Sequence, residues 1–219
     1  MQSIGAAVAS PPVVPQIAAM RSLAAILTTI LFALCAGMAA LAQAPLQGYL
    51  ADPDSGCKVW AQNPVPKQVA RWSGACVGGY AEGPGTATFI IEGAEFQRLT
   101  VPRQLGKANG PGVADYANGA HMDGTWKDGA RHGHFVITFK SGVRFETDYR
   151  NGVFSKRGTV AWPDGTRYEG EITEEPKPNG QGRAVNPTGQ VYQGQWKNGC
   201  FQGTPRAAIG VPAAQCGIR

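Results

Sequence analysis

The sequence predicts an all-β chain: an elongated, single-layer antiparallel sheet of tandem β-hairpins, preceded by an apolar signal-peptide helix. Three observations predict it. An aromatic–glycine phrase returns every 23 or 24 residues, turn dipeptides fall twice in each period, and apolar residues alternate with polar ones between the turns. Tyr168-Glu169-Gly170 answers Tyr192-Gln193-Gly194 at a distance of 24, and steps of 23 back from Tyr168 reach Phe145 and Met122-Asp123-Gly124. Trp72-Ser73-Gly74 and Phe96 are again 24 apart. A fixed period of this size marks a repeat array whose units stack on their neighbours. Such an array spreads its chemistry over a surface, which weighs against a single catalytic pocket.

The first segment stands apart from the array. Ser22 to Leu50 carries no charged residue, Leu23 to Ala42 is almost wholly apolar, and Arg21 stands just before it. With Ala42-Gln43-Ala44 behind it, this is the layout of a secretory signal peptide cleaved after Ala44. Residues 1–19 are Pro- and Ala-rich without a structural signal, so Met20 is the alternative start of translation. An uncleaved anchor is the competing expectation, because about 20 apolar residues can span a bilayer. Cys35 follows Phe32-Ala33-Leu34 and lacks the small residue that lipidation requires. The expected location is periplasmic or secreted.

Removing residues 1–44 takes away Arg21 and no acidic residue, leaving 19 basic and 15 acidic groups, a formal +4. The basic residues are scattered rather than gathered into the stripe that nucleic acid requires, which argues against that partner. Weak attraction to an anionic lipid surface remains within reach of this charge.

Within the array, positions are counted from the leading aromatic (or Met122) as zero. Position 7 is Gly79, Gly129, Gly152 and Gly199, preceded in three units by Asp128, Asn151 or Asn198. A second turn closes the unit at Ser141-Gly142, Asp164-Gly165 and Thr188-Gly189. Asp-Gly and Asn-Gly accept the positive φ of a tight hairpin turn. Each unit therefore reads as two strands of about five to seven residues. Positions 0, 2 and 4 share one face, because strand side chains alternate. They are Trp72/Gly74/Cys76, Met122/Gly124/Trp126, Tyr168/Gly170/Ile172 and Tyr192/Gly194/Trp196. In the second strand Phe135/Ile137/Phe139 and Gly158/Val160/Trp162 fall on the same apolar face. Glycine ordinarily weakens a strand, so its regular return at position 2 predicts a notch that receives a neighbouring ring.

The array is imperfect. The unit at Phe96 has Arg98 in place of glycine, and Val101 to Lys107 followed by Ala108-Asn109-Gly110-Pro111-Gly112 predicts an irregular bulge or loop. The unit at Phe145 replaces two expected glycines with Thr147 and Lys156, and Glu174 to Asn179 makes a hairpin loop one residue longer.

After Ala44 the chain holds four cysteines, Cys57, Cys76, Cys200 and Cys216. An even number in an exported chain predicts disulfides. Three pairings exist in principle. If the repeats separate the two ends of a long stack, Cys57–Cys76 and Cys200–Cys216 are the pairs that can form. Free buried thiols are the competing reading.

The runs Tyr168-Glu169-Gly170-Glu171, Trp126-Lys127-Asp128-Gly129-Ala130-Arg131-His132-Gly133 and Tyr192-Gln193-Gly194-Gln195-Trp196-Lys197-Asn198-Gly199 resemble MORN repeats. The resemblance covers about Arg71 to Gly203 in five recognisable units and a degenerate one. The stretches Ser55 to Trp60 and Trp72 to Cys76 also look like the lead-in of exported bacterial MORN proteins. It implies a twisted single-layer sheet with a shallow groove that serves protein or lipid attachment. The resulting division is a leader at 1–44, a lead-in segment at 45–70, the array at 71–203 and a cap at 204–219. With 16 residues after Gly203, no separate catalytic domain is expected.

Candidate chemistry is sparse. His121, His132 and His134 could converge on a metal only if two strand neighbours shared it, and turn position and polar parity instead predict solvated histidines. No Gly-x-Ser-x-Gly elbow, phosphate loop or Cys-x-x-Cys motif is present. The expectation is no catalytic residue, no metal and no cofactor, with an envelope hydrolase or metal-binding protein ranked below the other readings. Trp72, Trp126, Tyr149, Trp162, Tyr168, Tyr192 and Trp196 form the candidate binding groove. They either pack the array itself or stay partly exposed to receive a partner. The expected function is a non-catalytic binding or scaffolding surface for a protein partner in the cell envelope, with anionic-lipid attachment as the alternative. Oligomeric state and partner identity are not legible in the sequence.

Overall fold

A computed structural model describes residues 48–218. The signal-peptide expectation, with Ala44 and Cys35, lies outside the described residues. In chain order the strands are β1 (Tyr49–Ala51), β2 (Lys58–Trp60), β3 (Gln68–Trp72), β4 (Ala75–Val77), β5 (Tyr80–Glu82) and β6 (Thr86–Ile91). Then come β7 (Ala94–Thr100), β8 (Arg103–Gln104), β9 (Lys107–Ala108), β10 (Gly110–Tyr116), β11 (His121–Lys127) and β12 (Ala130–Thr138). The series ends with β13 (Arg144–Arg150), β14 (Val153–Ala161), β15 (Arg167–Ile172), β16 (Pro178–Val185), β17 (Val191–Lys197) and β18 (Cys200–Phe201), followed by a 3-10 turn at Ala213–Cys216.

Twelve strands form one antiparallel sheet in the order β18-β17-β16-β15-β14-β13-β12-β11-β10-β7-β6-β3. Chain neighbours are sheet neighbours throughout β10 to β18, because short turns leave no room for a crossover. The turns carry the period. At one end of the strands Asp128-Gly129, Asn151-Gly152 and Asn198-Gly199 have positive φ at both positions, the two-residue turn that matches strand twist. At the other end Tyr116, Phe139, Trp162 and Asn186 each donate an amide to the carbonyl four residues on, at 2.9–3.0 Å. These closures recur at 23, 23 and 24 residues.

The predicted face holds. Phe135 and Phe145 are fully buried, and Met122, Trp126, Ile137, Tyr149, Val160, Tyr168, Ile172 and Trp196 join them in one core. At position 2 the expected notch holds for Gly124 alone: Gly74 faces Trp72 of its own unit, Gly170 the Gly182 backbone, and Gly194 makes only ordinary contact with Phe201. Second-strand glycines supply further notches. A Cβ at Gly124 would overlap the Phe135 ring, one at Gly182 the Tyr168 ring, and one at Gly158 would lie 2.7 Å from Phe145. In the Phe145 unit the two missing glycines are replaced in different ways. Lys156 keeps the left-handed conformation at φ 61°. Thr147 is buried and donates its hydroxyl to the Arg157 carbonyl at 2.6 Å.

Four expectations need correction. The layer is not single, because β1-β2-β5-β4 make a second, smaller sheet in which β2 and β5 run parallel. The predicted strand Trp72/Gly74/Cys76 is split: Trp72 ends β3 while Cys76 belongs to β4 of the small sheet. The reason is local. Asp52 accepts the Trp72 amide at 2.8 Å, and the Cys57–Cys76 bond ties the following strand to the lead-in segment. Burial alone would raise the Asp52 carboxyl, but the amides of Trp72, Asp54 and Ser55 outweigh it and hold it below its usual value. Phe96 does not lead a buried strand either; it is 45% exposed, since a bulge at Phe89/Ile90 moves burial to Phe89 and Leu99. The expected irregular stretch holds only in part. Arg103–Ala108 makes the short β8–β9 hairpin closed by Leu105-Gly106, whereas Gly110-Pro111-Gly112 opens the regular strand β10, paired with Trp126, Thr125 and Gly124.

Arg103 from β8 joins the two sheets. It is 3% exposed, donates Nη1 to the carbonyls of Gly106 at 2.7 Å and Trp60 at 3.3 Å, and lies over the Trp72 and Phe89 rings. Burial lowers its pKa to about 10. The disulfides are Cys57–Cys76 and Cys200–Cys216, spanning 19 and 16 residues. Loops of that size stabilise by about 3 kcal/mol each in the chain-entropy account. Two disulfides also fit an oxidising, extracytoplasmic compartment.

Candidate functional site

Seven aromatic side chains form the groove expected from sequence, and the structure divides them. Trp72, Trp126, Tyr149, Tyr168 and Trp196 are between 1% and 8% exposed. They are packing groups, and a partner has almost no access to them. Trp126 and Tyr149 meet Phe135 edge-on from both sides, at 5.0 and 5.3 Å, and Tyr168 meets Trp196 edge-on at 5.6 Å. Trp162 and Tyr192 stay half-buried. Gly210 from the C-terminal segment lies near the Trp162 ring, and Tyr192 packs on Phe201.

The accessible apolar surface lies elsewhere. A cavity of about 560 Å³ opens between the 61–68 loop and the apolar face of the main sheet. The loop reaches across the sheet because Trp60 rests on Gly129 and Gln62 on Gly152, where a side chain would collide with either. Phe89, Leu99, Met122 and Trp126 make the buried floor. Phe96, Tyr116 and Phe154 stand on it with part of their surface open, and the Phe96 and Tyr116 rings meet edge-on at 5.9 Å. Phe154 lies at the edge of the core, half-buried against Phe145 and Tyr149 at 6.1 and 5.8 Å, where the register slips between Thr147 and Tyr149.

A charged cluster, Arg131 with Glu174, joins the polar side chains of Gln62, Asn63, Gln68 and Gln97 in a lining that is as polar as it is apolar. Arg131 lies 4.0 Å from the Tyr149 ring centroid, donating Nη1 to Tyr149 Oη at 2.8 Å and Nη2 to Glu174 Oε1 at 3.1 Å. Tyr149 donates its own hydroxyl to the same Oε1 at 3.3 Å. Burial pushes the Tyr149 hydroxyl up to about 12, against the lowering pull of Arg131 and with a smaller raising push from Glu174. Tyr116 is raised as well, first by burial. Sequence reasoning missed Phe96, Tyr116, Phe154, Arg131 and Glu174 as a group. The extra residue in the loop that carries Glu174 was the available signal.

The histidines sit on the other face or at turns. His121 pairs with Asp115 at 2.7 Å, His132 Nδ1 contacts Asn151 at 3.0 Å, and His134 lies 3.3 Å from both Glu146 and Asp148. Among the described residues no group of three or more His, Cys, Asp or Glu is arranged to hold a metal, and no helix is long and apolar enough to cross a membrane.

Burial also pushes Tyr168 up to about 12, which sets an alkaline limit on stability. The unfolded tyrosines ionise near pH 10 while folded Tyr149 and Tyr168 keep their protons, so the folded chain binds more protons above that point. Stability is therefore full below about pH 10 and falls between about 10 and 12, by up to roughly 2–3 kcal/mol per tyrosine. A phenolate absorbance titration is expected to show these two titrating late, coincident with loss of β-type circular dichroism. Simple titration near pH 10 would contradict it.

No known family model matches the chain.

Proposed function

We propose that this chain is a non-catalytic, exported binding module of the MORN-repeat class, presenting the 61–68 cavity to a protein partner in the cell envelope. The cavity carries the reading. The array buries most of its aromatic residues in its own packing, yet Phe96, Tyr116 and Phe154 are left with open surface in one place. One exposed and two half-buried aromatics around an apolar floor, with polar side chains at the rim, are a composition that suits a recognition site. The two disulfides and the periodic hairpins support export and the repeat class.

The test is capture from an envelope extract by the full chain, with Phe96→Ser/Phe154→Ser as the parallel bait. Phe96 is 45% exposed, whereas Phe154 is half-buried against Phe145 and Tyr149. The variant is therefore expected to unfold at a lower temperature, to keep its circular dichroism at the temperature of capture, and to lose the captured partner. Equal capture by both baits would overturn the reading. Salt-sensitive sedimentation with anionic liposomes, unaffected by the double change, would instead support membrane attachment.

A further inference from the structure

The Arg131 cluster tells what the partner brings. Arg131 is fixed: its guanidinium is stacked on Tyr149, hydrogen-bonded to the Tyr149 hydroxyl, and its side chain is 26% exposed. Glu174 is not fixed in the same way. Its side chain is 57% exposed, it sits between β15 and β16, and among the described residues its carboxylate accepts from Arg131 and Tyr149 alone. A half-exposed pair of this kind contributes little net stability, so one carboxylate exchanges for another at small cost. A planar guanidinium held against an aromatic ring is a preorganised carboxylate receptor. Glu174 itself shows the stereochemistry that fits: a side-chain carboxylate accepting from Arg131 Nη2 and Tyr149 Oη at once.

The rim supplies a second requirement. Gln62, Asn63 and Gln97 line the same cavity, and their side-chain amides have no hydrogen-bond partner among the described residues. Each offers a donor and an acceptor, which match the peptide groups of an extended chain and have nothing to match on an acyl chain. Phe96, Tyr116 and Phe154 then favour apolar side chains beside the carboxylate.

We propose that the cavity receives an extended segment of the partner polypeptide in which a glutamate is flanked by aliphatic or aromatic residues, the incoming glutamate replacing Glu174 on Arg131 and Tyr149. This rests on the cavity being the recognition site. Glu174 thereby acts as an internal competitor that the ligand displaces.

Fluorescence anisotropy of the full chain with labelled acetyl-Phe-Leu-Glu-Leu-amide and its Gln counterpart tests the proposal. The Glu peptide is expected to bind about tenfold more tightly, the range of a charge-assisted hydrogen bond pair. Glu174→Gln removes the competitor and is expected to strengthen Glu-peptide binding several-fold. Arg131→Gln is expected to erase the difference between the two peptides, and Arg131→Lys, which keeps the charge but not the fork, to retain part of it. Equal binding of the two peptides, or a preference that survives Arg131→Gln, would overturn the proposal. So would displacement of the Glu peptide by sodium dodecanoate at lower concentration, which would assign the site to an acyl carboxylate. If neither peptide binds while Phe96→Ser/Phe154→Ser still loses its captured partner, the carboxylate proposal fails and the cavity reading stands.

Discussion

Gly182→Ala is expected to destabilise the folded chain by about 3 kcal/mol, read as a shift in the urea midpoint, although it adds one methyl group. The added Cβ would fall on the Tyr168 ring and hydroxyl. That ring is 2% exposed, donates its hydroxyl to the Glu171 carbonyl at 2.7 Å, and packs edge-on against Trp196. It cannot withdraw without breaking the hydrogen bond and opening the Trp196 contact. Overpacking a rigid interior costs about 1–3 kcal/mol, and the lost hydrogen bond about 1 more. The control is Gly189→Ala. Gly189 has φ 84° with nothing within 4 Å of an added Cβ, so only the left-handed backbone penalty of about 1–2 kcal/mol applies. A larger effect at Gly189 than at Gly182 would show that the glycines serve turns alone and that the notch account is wrong.

The double change Trp126→Ala/Tyr149→Ala is expected to unfold the middle of the array. Sequence reasoning placed both rings in the candidate groove, either packing the array or partly open to a partner, and their burial decides for packing. The two rings enclose fully buried Phe135, and Tyr149 also anchors Arg131. Large aromatic-to-Ala changes cost about 3–5 kcal/mol each, and a domain has about 5–15 kcal/mol in total. The two costs are coupled through Phe135, so their sum is an imperfect guide to the loss. Thermal unfolding followed by circular dichroism is expected to show either no transition or one lowered by tens of degrees. A cooperative transition near that of the parent chain would contradict the packing role.

Most of β10 to β18 was legible because local rules fix it. Asn151-Gly152 and Asn198-Gly199 specify their turns, and Met122, Gly124 and Trp126 show their common face by alternation alone. The disulfide partners were legible for the same reason, since each pair lies within one end of the chain. The small sheet was not. Lys58 pairs with Tyr80 in parallel, and a single parallel contact leaves no periodic trace. The candidate cavity was hidden by a similar non-local effect. Trp60 of β2 covers Gly129 and Gln62 of the following loop covers Gly152, both from far along the chain, and Arg131 meets Glu174 across 43 residues. Phe154 stands half-buried beside a register slip, which alternation arguments treat as noise. Aromatic type marked where the core lies; it did not tell buried rings from open ones.

Amide hydrogen exchange on the full chain, with and without its captured partner, tests the central claim most directly. If the open cavity is the recognition surface, partner binding slows exchange in the 61–68 loop, in β7 around Phe96 and at the start of β14 around Phe154. Protection confined to the opposite face around His134 and Asp148, or uniform protection along β10 to β18 with none at the loop, would contradict it.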